Sequence, residues 1–175
     1  MPADQFKKIM SEDQITWALA AVAAAETDFS PPENKSWAEY AAEVFDVQVR
    51  RWDEETCGGG VRLAMLTFQN GFKYKSNAAT GRFFLLASRL AKLTGNTTYS
   101  EWADKSYTWA KDRRLITDEY EVYDGTSISL NGCDDANEVQ WAYIHSAYTE
   151  GSAIMQNIVR ISCCHVPKSH TDNHR

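Results

Sequence analysis

The stretch Ser11-Glu12-Asp13-Gln14-Ile15-Thr16-Trp17-Ala18-Leu19-Ala20-Ala21-Val22-Ala23-Ala24-Ala25 decides how the rest of the chain is read. Ser11 followed three residues later by Gln14 has the form of a capping box. Behind it Ile15, Ala18, Leu19, Val22 and Ala25 recur at helical spacing. The spacing therefore predicts a helix over about 12–26, with Glu12 and Asp13 in its first turn. Acids there complement the positive end of the helix dipole, and that alone explains most such pairs. The second reading is a carboxylate pair for glycoside hydrolysis, one nucleophile and one acid/base about 5–5.5 Å apart. Neighbouring residues do not face each other along a helix, but at its start both can lean into one cleft. Spacing permits both readings.

The 175 residues suffice for one domain with a core. A 43% hydrophobic share is that of a globular chain. The net charge of −6 argues against a nucleic-acid or anionic-membrane partner, each of which favours a basic face, and suits a neutral polysaccharide. Six Trp and eight Tyr can stack on sugar rings, although helix-bundle cores use the same residues. The longest apolar run, Ala18 to Ala25, is too short to span a bilayer. Met1-Pro2-Ala3-Asp4 has neither the basic start nor the apolar stretch of a signal peptide. Against that, Asn34-Lys35-Ser36 and Asn96-Thr97-Thr98 are N-glycosylation acceptor patterns. Cys57 and Cys133 can pair if the fold brings them together.

Further helices are predicted from near Ser36 to Trp52, over about 78–93, over about 98–113 and from about Ala136, the last carrying the stripe Trp141, Ile144, Tyr148, Gly151 and Met155. Cys57-Gly58-Gly59-Gly60 breaks helix, Val61 to Thr67 reads as a short strand, Asn70-Gly71 as a turn, and Tyr123 to Asp135 as a polar loop. Trp37-Ala38-Glu39 and Trp102-Ala103-Asp104 echo each other as helix openings, as repeated αα-hairpins would. The class is all-α. From Ile158 to Arg175 the helical pattern stops and a disordered tail is expected. Its Cys163-Cys164-His165, His170 and His174 match no usual zinc spacing, so no metal or other cofactor is assigned.

Several stretches together resemble glycoside hydrolase family 76, the endo-α-1,6-mannanases, and above all its fungal cell-wall members. They are Met1-Pro2-Ala3-Asp4-Gln5, Glu12-Asp13-Gln14 with Trp17, Arg51-Trp52-Asp53, Thr56-Cys57-Gly58-Gly59-Gly60 with Arg62, and Thr67 through Lys75. Phe83-Phe84, Leu90-Ala91, Thr94-Gly95-Asn96, Tyr123-Asp124-Gly125 and Gln140-Trp141 with Tyr143 complete the set, which covers nearly all of 1–157. The resemblance implies an (α/α)6 toroid whose central cleft takes α-1,6-linked mannan, with retaining hydrolysis or glycan transfer. It implies Glu12 as nucleophile and Asp13 as acid/base, with Gln14, Trp17, Arg62, Asn70, Tyr123, Asp124 and Trp141 binding substrate. It also implies a secreted protein of the cell wall or anchored at the plasma membrane, although this chain shows neither leader nor anchor signal. The chain departs from the family at Glu12, where the family has Asp, at Leu63 in place of Trp and at Ile144 in place of Asn. It begins inside the family pattern and ends before it, with about five helices where a closed toroid needs twelve. An apolar flank is then expected to stand open. The alternative expectation is a non-catalytic helical module that binds glycan or acts as a scaffold. The oligomeric state is left open.

Overall fold

The computed structural model describes residues 9–128 and 131–164. Five helices carry the described fold: α1 (Ser11–Glu26), α2 (Trp37–Arg51), α3 (Asn77–Thr94), α4 (Thr97–Asp112) and α5 (Ala142–Cys164). Three strands join them, β1 (Tyr74–Ser76), β2 (Tyr123–Ser127) and β3 (Ala136–Gln140).

Local chemistry sets the helix ends. At α2 the Ser36 hydroxyl accepts from the Glu39 amide (3.2 Å) while the Ser36 amide donates to the Glu39 carboxylate (2.8 Å), a reciprocal box. Ser76 caps α3 through the Ala79 amide, and Gly95, with φ 70°, ends it in the left-handed region. Asn96 caps α4 by accepting from the Thr98 amide at 3.0 Å. The start of α1 differs from expectation. Its cap is Met10, held extended by a β-bridge to Ala64, and the Ser11 amide donates to the Leu63 carbonyl. That tertiary pairing moves the helix start back one residue, so Ser11 is buried and Asp13, not Gln14, closes the turn by accepting from the Met10 amide at 2.9 Å.

The core is built around α3, which is apolar on nearly every side because it packs on α1 and α2 along one flank and on α4 and α5 along the other. Phe83 lies 5.3 Å from Phe45 and 5.9 Å from Trp102, and Trp52 sits edge-on to Trp102 and Trp109. Burial of these rings, each worth roughly 1.5–3 kcal/mol or more, is the main cohesion of the bundle. Gly151 lets α5 approach α3 closely, since a Cβ there would lie 2.4 Å from Phe84. Glu12 and Glu26 near the two ends of α1 meet Arg82 and Arg89 in the same order along α3, so these helices run the same way. The start of α5 joins them at Arg82 through Tyr143. The result is two and a half αα-hairpins, the arc expected of a partial (α/α)6 toroid.

Three expectations are corrected. Val61 to Thr67 is not a strand: Arg62 and Ala64 make isolated bridges, and the Gln69 side chain accepts from the Met65 and Leu66 amides and bends the chain. The strand lies at Tyr74–Ser76, after the Asn70-Gly71 turn, which is present as expected. Residues 136–140 are strand, not helix, because β3 pairs with β2 (Gly125 with Asn137, Thr126 with Ala136), and β2 occupies part of the expected polar loop. The sheet has the order β1-β2-β3, all antiparallel. Finally α5 continues past Ile158 to Cys164, so the helical pattern does not stop where expected. Residues 165–175 of the expected disordered tail, with His165, His170 and His174, lie outside the described residues.

Cys57 and Cys133 are joined in a disulfide with Cα atoms 5.6 Å apart. It ties the loop after α2 to the segment between β2 and β3. Among the described residues no helix is long and apolar enough to cross a membrane.

Candidate functional site

β1 leads straight into α3 and β3 almost straight into α5, so the sheet stands at the end of the bundle where α1, α3 and α5 begin. The candidate site is assembled there. Glu12, in the first turn of α1, accepts from Arg82 Nη1 at 2.7 Å, with the two side chains 28% and 24% exposed. The Arg82 guanidinium lies over the Tyr143 ring, 5.0 Å from its centroid. Tyr143 has its phenol pushed above the ordinary range by burial first, then by the charges of Glu12 and Asp124, with Arg82 opposing. These four side chains therefore share one space.

Trp141, just ahead of α5, stands 6.2 Å from Tyr143 and donates its indole N–H to Asp124 Oδ1 at 3.0 Å. The other Asp124 oxygen accepts from the Tyr74 hydroxyl (2.6 Å) and from Asn137 Nδ2 (3.0 Å). Burial, then the bond to Asp124, raises the Tyr74 phenol, so it stays a donor at any physiological pH. Asp124 thus joins β1, β2, β3 and the approach to α5. With Trp141 47% exposed and Tyr143 also exposed, the site offers two aromatic rings beside a carboxylate and a guanidinium. Aromatic faces stack on the apolar faces of pyranose rings, while the charged groups address hydroxyls and the anomeric centre.

The structure thus brings together Glu12, Asp124 and Trp141 of the expected residues. Asp13 is adjacent and exposed, with Oδ2 engaged at the Met10 amide. Trp17 is 51% exposed, one turn along α1 from Asp13, and so on the same side of the helix. The other four are held as follows. Gln14 Oε1 accepts from Gln48 (2.9 Å) and Arg51 (3.1 Å) and fastens α1 to α2. Arg62 is paired with Asp53, donates to the Thr56 hydroxyl and the Phe72 carbonyl, and covers the Phe72 ring. Asn70 is exposed in its turn. The Tyr123 hydroxyl donates to Glu121, and its carbonyl accepts from Asn77 on α3.

Four residues absent from the sequence-based selection belong to the site: Arg82, Tyr74, Asn137 and Tyr143. Arg82 was detectable as a charge set in the apolar run Gly81-Arg82-Phe83-Phe84-Leu85-Leu86. Tyr74 and Asn137 depend on strand register, which the sequence does not display. A pocket of about 340 Å³ lies between α4, α5 and the 116–122 segment, lined by Tyr107, Ile116, Tyr120, Val122 and Tyr148 together with the polar His145, Thr149 and Ser152.

The profile of glycosyl hydrolase family 76 matches residues 1–161. The mannan endo-1,6-alpha-mannosidase DCW1 of Saccharomyces cerevisiae is 40% identical over 161 residues, 90% of this chain and 36% of that protein. The Candida glabrata protein of the same name is 39% identical over 163 residues, with the same two coverages. The crystal structure of Dfg5 from Chaetomium thermophilum in complex with glucosamine superposes with a TM-score of 0.85 at 34% identity, covering 91% of this chain and 40% of that one. The chain spans about a third of the length of the curated relatives it matches.

Proposed function

The chain belongs to glycosyl hydrolase family 76, and from that premise we propose that it acts on α-1,6-linked mannan in the fungal cell wall, as an endo-acting retaining glycosidase. The observation that supports this reading best is the Glu12–Arg82–Tyr143 contact, continued through Trp141 to Asp124. It puts a fixed carboxylate beside two exposed rings at the mouth of a partial toroid. Both relatives named above are mannan endo-1,6-alpha-mannosidases. The Cys57–Cys133 disulfide suits the oxidising conditions of a secreted protein.

In the proposed reaction Glu12 attacks the anomeric carbon of the mannosyl unit and forms a glycosyl ester, while Asp13 protonates the departing glycosidic oxygen. Asp13 then takes a proton from a water that attacks the same carbon, the ester bond to Glu12 breaks, and the sugar leaves with its anomeric configuration retained. Arg82 positions the Glu12 carboxylate by its hydrogen bond, and Trp141, Tyr143 and Trp17 carry mannose rings. Glu12 has one methylene more than the aspartate that the family resemblance implies at that place, and misplacement of about 1 Å can cost ~10²-fold in rate.

Release of reducing ends from linear α-1,6-mannan tests the proposal. The chain releases them slowly, Glu12→Asp releases them faster, by up to about 10²-fold, and Glu12→Gln releases none. Undiminished release by Glu12→Gln removes Glu12 from the chemistry. The longer side chain at position 12 also favours a second reading, a glycan binder without turnover. Saturable binding of α-1,6-mannotetraose with no release by the chain or by Glu12→Asp selects it.

A further inference from the structure

We infer that Asn34 and Asn96 are both N-glycosylated, and that the two glycans stand on the end of the bundle opposite the candidate site. Asn34-Lys35-Ser36 and Asn96-Thr97-Thr98 each have the Asn-x-Ser/Thr pattern with no proline between. The fold gives them a common address. Asn34 lies in the connection from α1 to α2, Asn96 in that from α3 to α4, and both residues are exposed. α1 and α3 run the same way, from the Glu12–Arg82 pair towards the Glu26–Arg89 pair. Both acceptors therefore follow the far ends of those helices. At 1.5 Å per residue the helices carry them about 20 Å from Glu12 and Arg82.

The side-chain geometry at Asn96 suits attachment. Its carboxamide oxygen accepts from the Thr98 amide at 3.0 Å and caps α4, which leaves Nδ2 outside the cap. A glycan on Nδ2 keeps that oxygen, so the cap survives modification. The Cys57–Cys133 disulfide is a separate sign of passage through an oxidising compartment, where the transfer takes place. The donor is an oligosaccharide linked through a diphosphate to a lipid, and the catalyst is an oligosaccharyltransferase. Nδ2 attacks the first sugar carbon, the N–C bond forms, and the bond from that carbon to the diphosphate oxygen breaks. One Nδ2 proton is lost and the lipid diphosphate leaves, so no oxidant or reductant is needed. The glycan transfer does not depend on catalysis at Glu12, and only the mannotetraose readout below rests on the proposed function.

The test is delivery of the full chain into the secretory lumen of a eukaryotic host behind a cleavable leader, with a terminal tag bearing a reporter acceptor site. Digestion with peptide-N-glycosidase in heavy-oxygen water then marks each occupied asparagine as labelled aspartate. Label at both Asn34 and Asn96 is expected. Asn34→Gln removes the first glycan and leaves the second. At the other site Thr98→Ala removes the hydroxyl needed for transfer without touching the Asn96 cap, so lost glycosylation there is not lost folding. Both variants bind α-1,6-mannotetraose with the affinity of the unsubstituted chain. A glycosylated reporter with no label at Asn34 or Asn96 overturns the inference. Label at only one of them overturns the paired placement, and weaker mannotetraose binding by either variant overturns the opposite-end geometry.

Discussion

Breaking the Cys57–Cys133 disulfide is expected to cost the fold about 2–5 kcal/mol. The two cysteines are 76 positions apart. In the chain-entropy treatment, a loop of that length confines the unfolded chain by roughly 15 cal/mol/K, or about 4.5 kcal/mol at 25 °C. Little native packing should be lost with the bond. The Cys57 carbonyl accepts from Trp109 Nε1 at 3.0 Å, and the Asp135 carbonyl accepts from the Thr126 hydroxyl at 2.8 Å, so both flanking segments keep other anchors. The effect therefore falls mainly on the unfolded state. The assay is urea unfolding followed by tryptophan fluorescence, since Trp52, Trp102 and Trp109 form one cluster in the core. With a slope of about 2 kcal/mol per molar urea, the midpoint falls by roughly 1–2.5 M. The Cys57→Ser/Cys133→Ser chain and the reduced wild type should agree. An unchanged midpoint in both would refute the reasoning, because a loop of this length could not then be constrained by the bond.

Acid should act through Asp53. Burial alone raises its carboxyl, but the Thr56 hydroxyl, the charge of Lys75 and the bond and charge of Arg62 outweigh that and bring it down to about 2. A folded value below the unfolded one means stability present above the unfolded value near 3.8 and lost as pH falls through about 2. The contribution is about 2 kcal/mol, and Asp53→Asn should flatten unfolding between those two pH values. Gly60→Ala should destabilise by more than about 2 kcal/mol in the same urea assay, because the new Cβ would lie 2.2 Å from Trp109 at a φ of +82°. Arg82→Gln should lower mannan turnover by about 10²-fold through misplaced Glu12. Its partly exposed ion pair should cost only about 1 kcal/mol of stability, and an equal loss of fold and activity in melting and turnover assays would contradict a positioning role.

The helices were legible because their signals are local. The stripe of α1, the Ser36 and Asn96 caps and the Gly95 stop all work within a few residues of where they act. The α1 start was displaced because Met10 is held by Ala64, fifty-four residues away in the chain. The strands were hidden for the same reason: residues 136–140 become extended only by pairing with β2, and Tyr74–Ser76 only by pairing with the other edge of that strand. In the site, Glu12, Asp124 and Trp141 stood out through motif and composition. Arg62 and Gln14 have equally suggestive chemistry in the sequence but are used to join segments, since each has its polar atoms taken by partners from another element. Lys75 shows the same principle in the extreme: it is fully buried, donating to the Asp53 and Gly60 carbonyls, although lysine as a residue type is mostly exposed.

The most direct test follows the six indole N–H signals of the full chain by NMR as α-1,6-mannotetraose is added. If the glycan lies between Glu12, Arg82, Tyr143, Trp141 and Asp124, the Trp141 signal moves most, Trp17 follows, and Trp52, Trp102 and Trp109 in the core hold still. Saturable shifts confined to other tryptophans, with Trp141 unmoved, would place the glycan elsewhere and contradict the account.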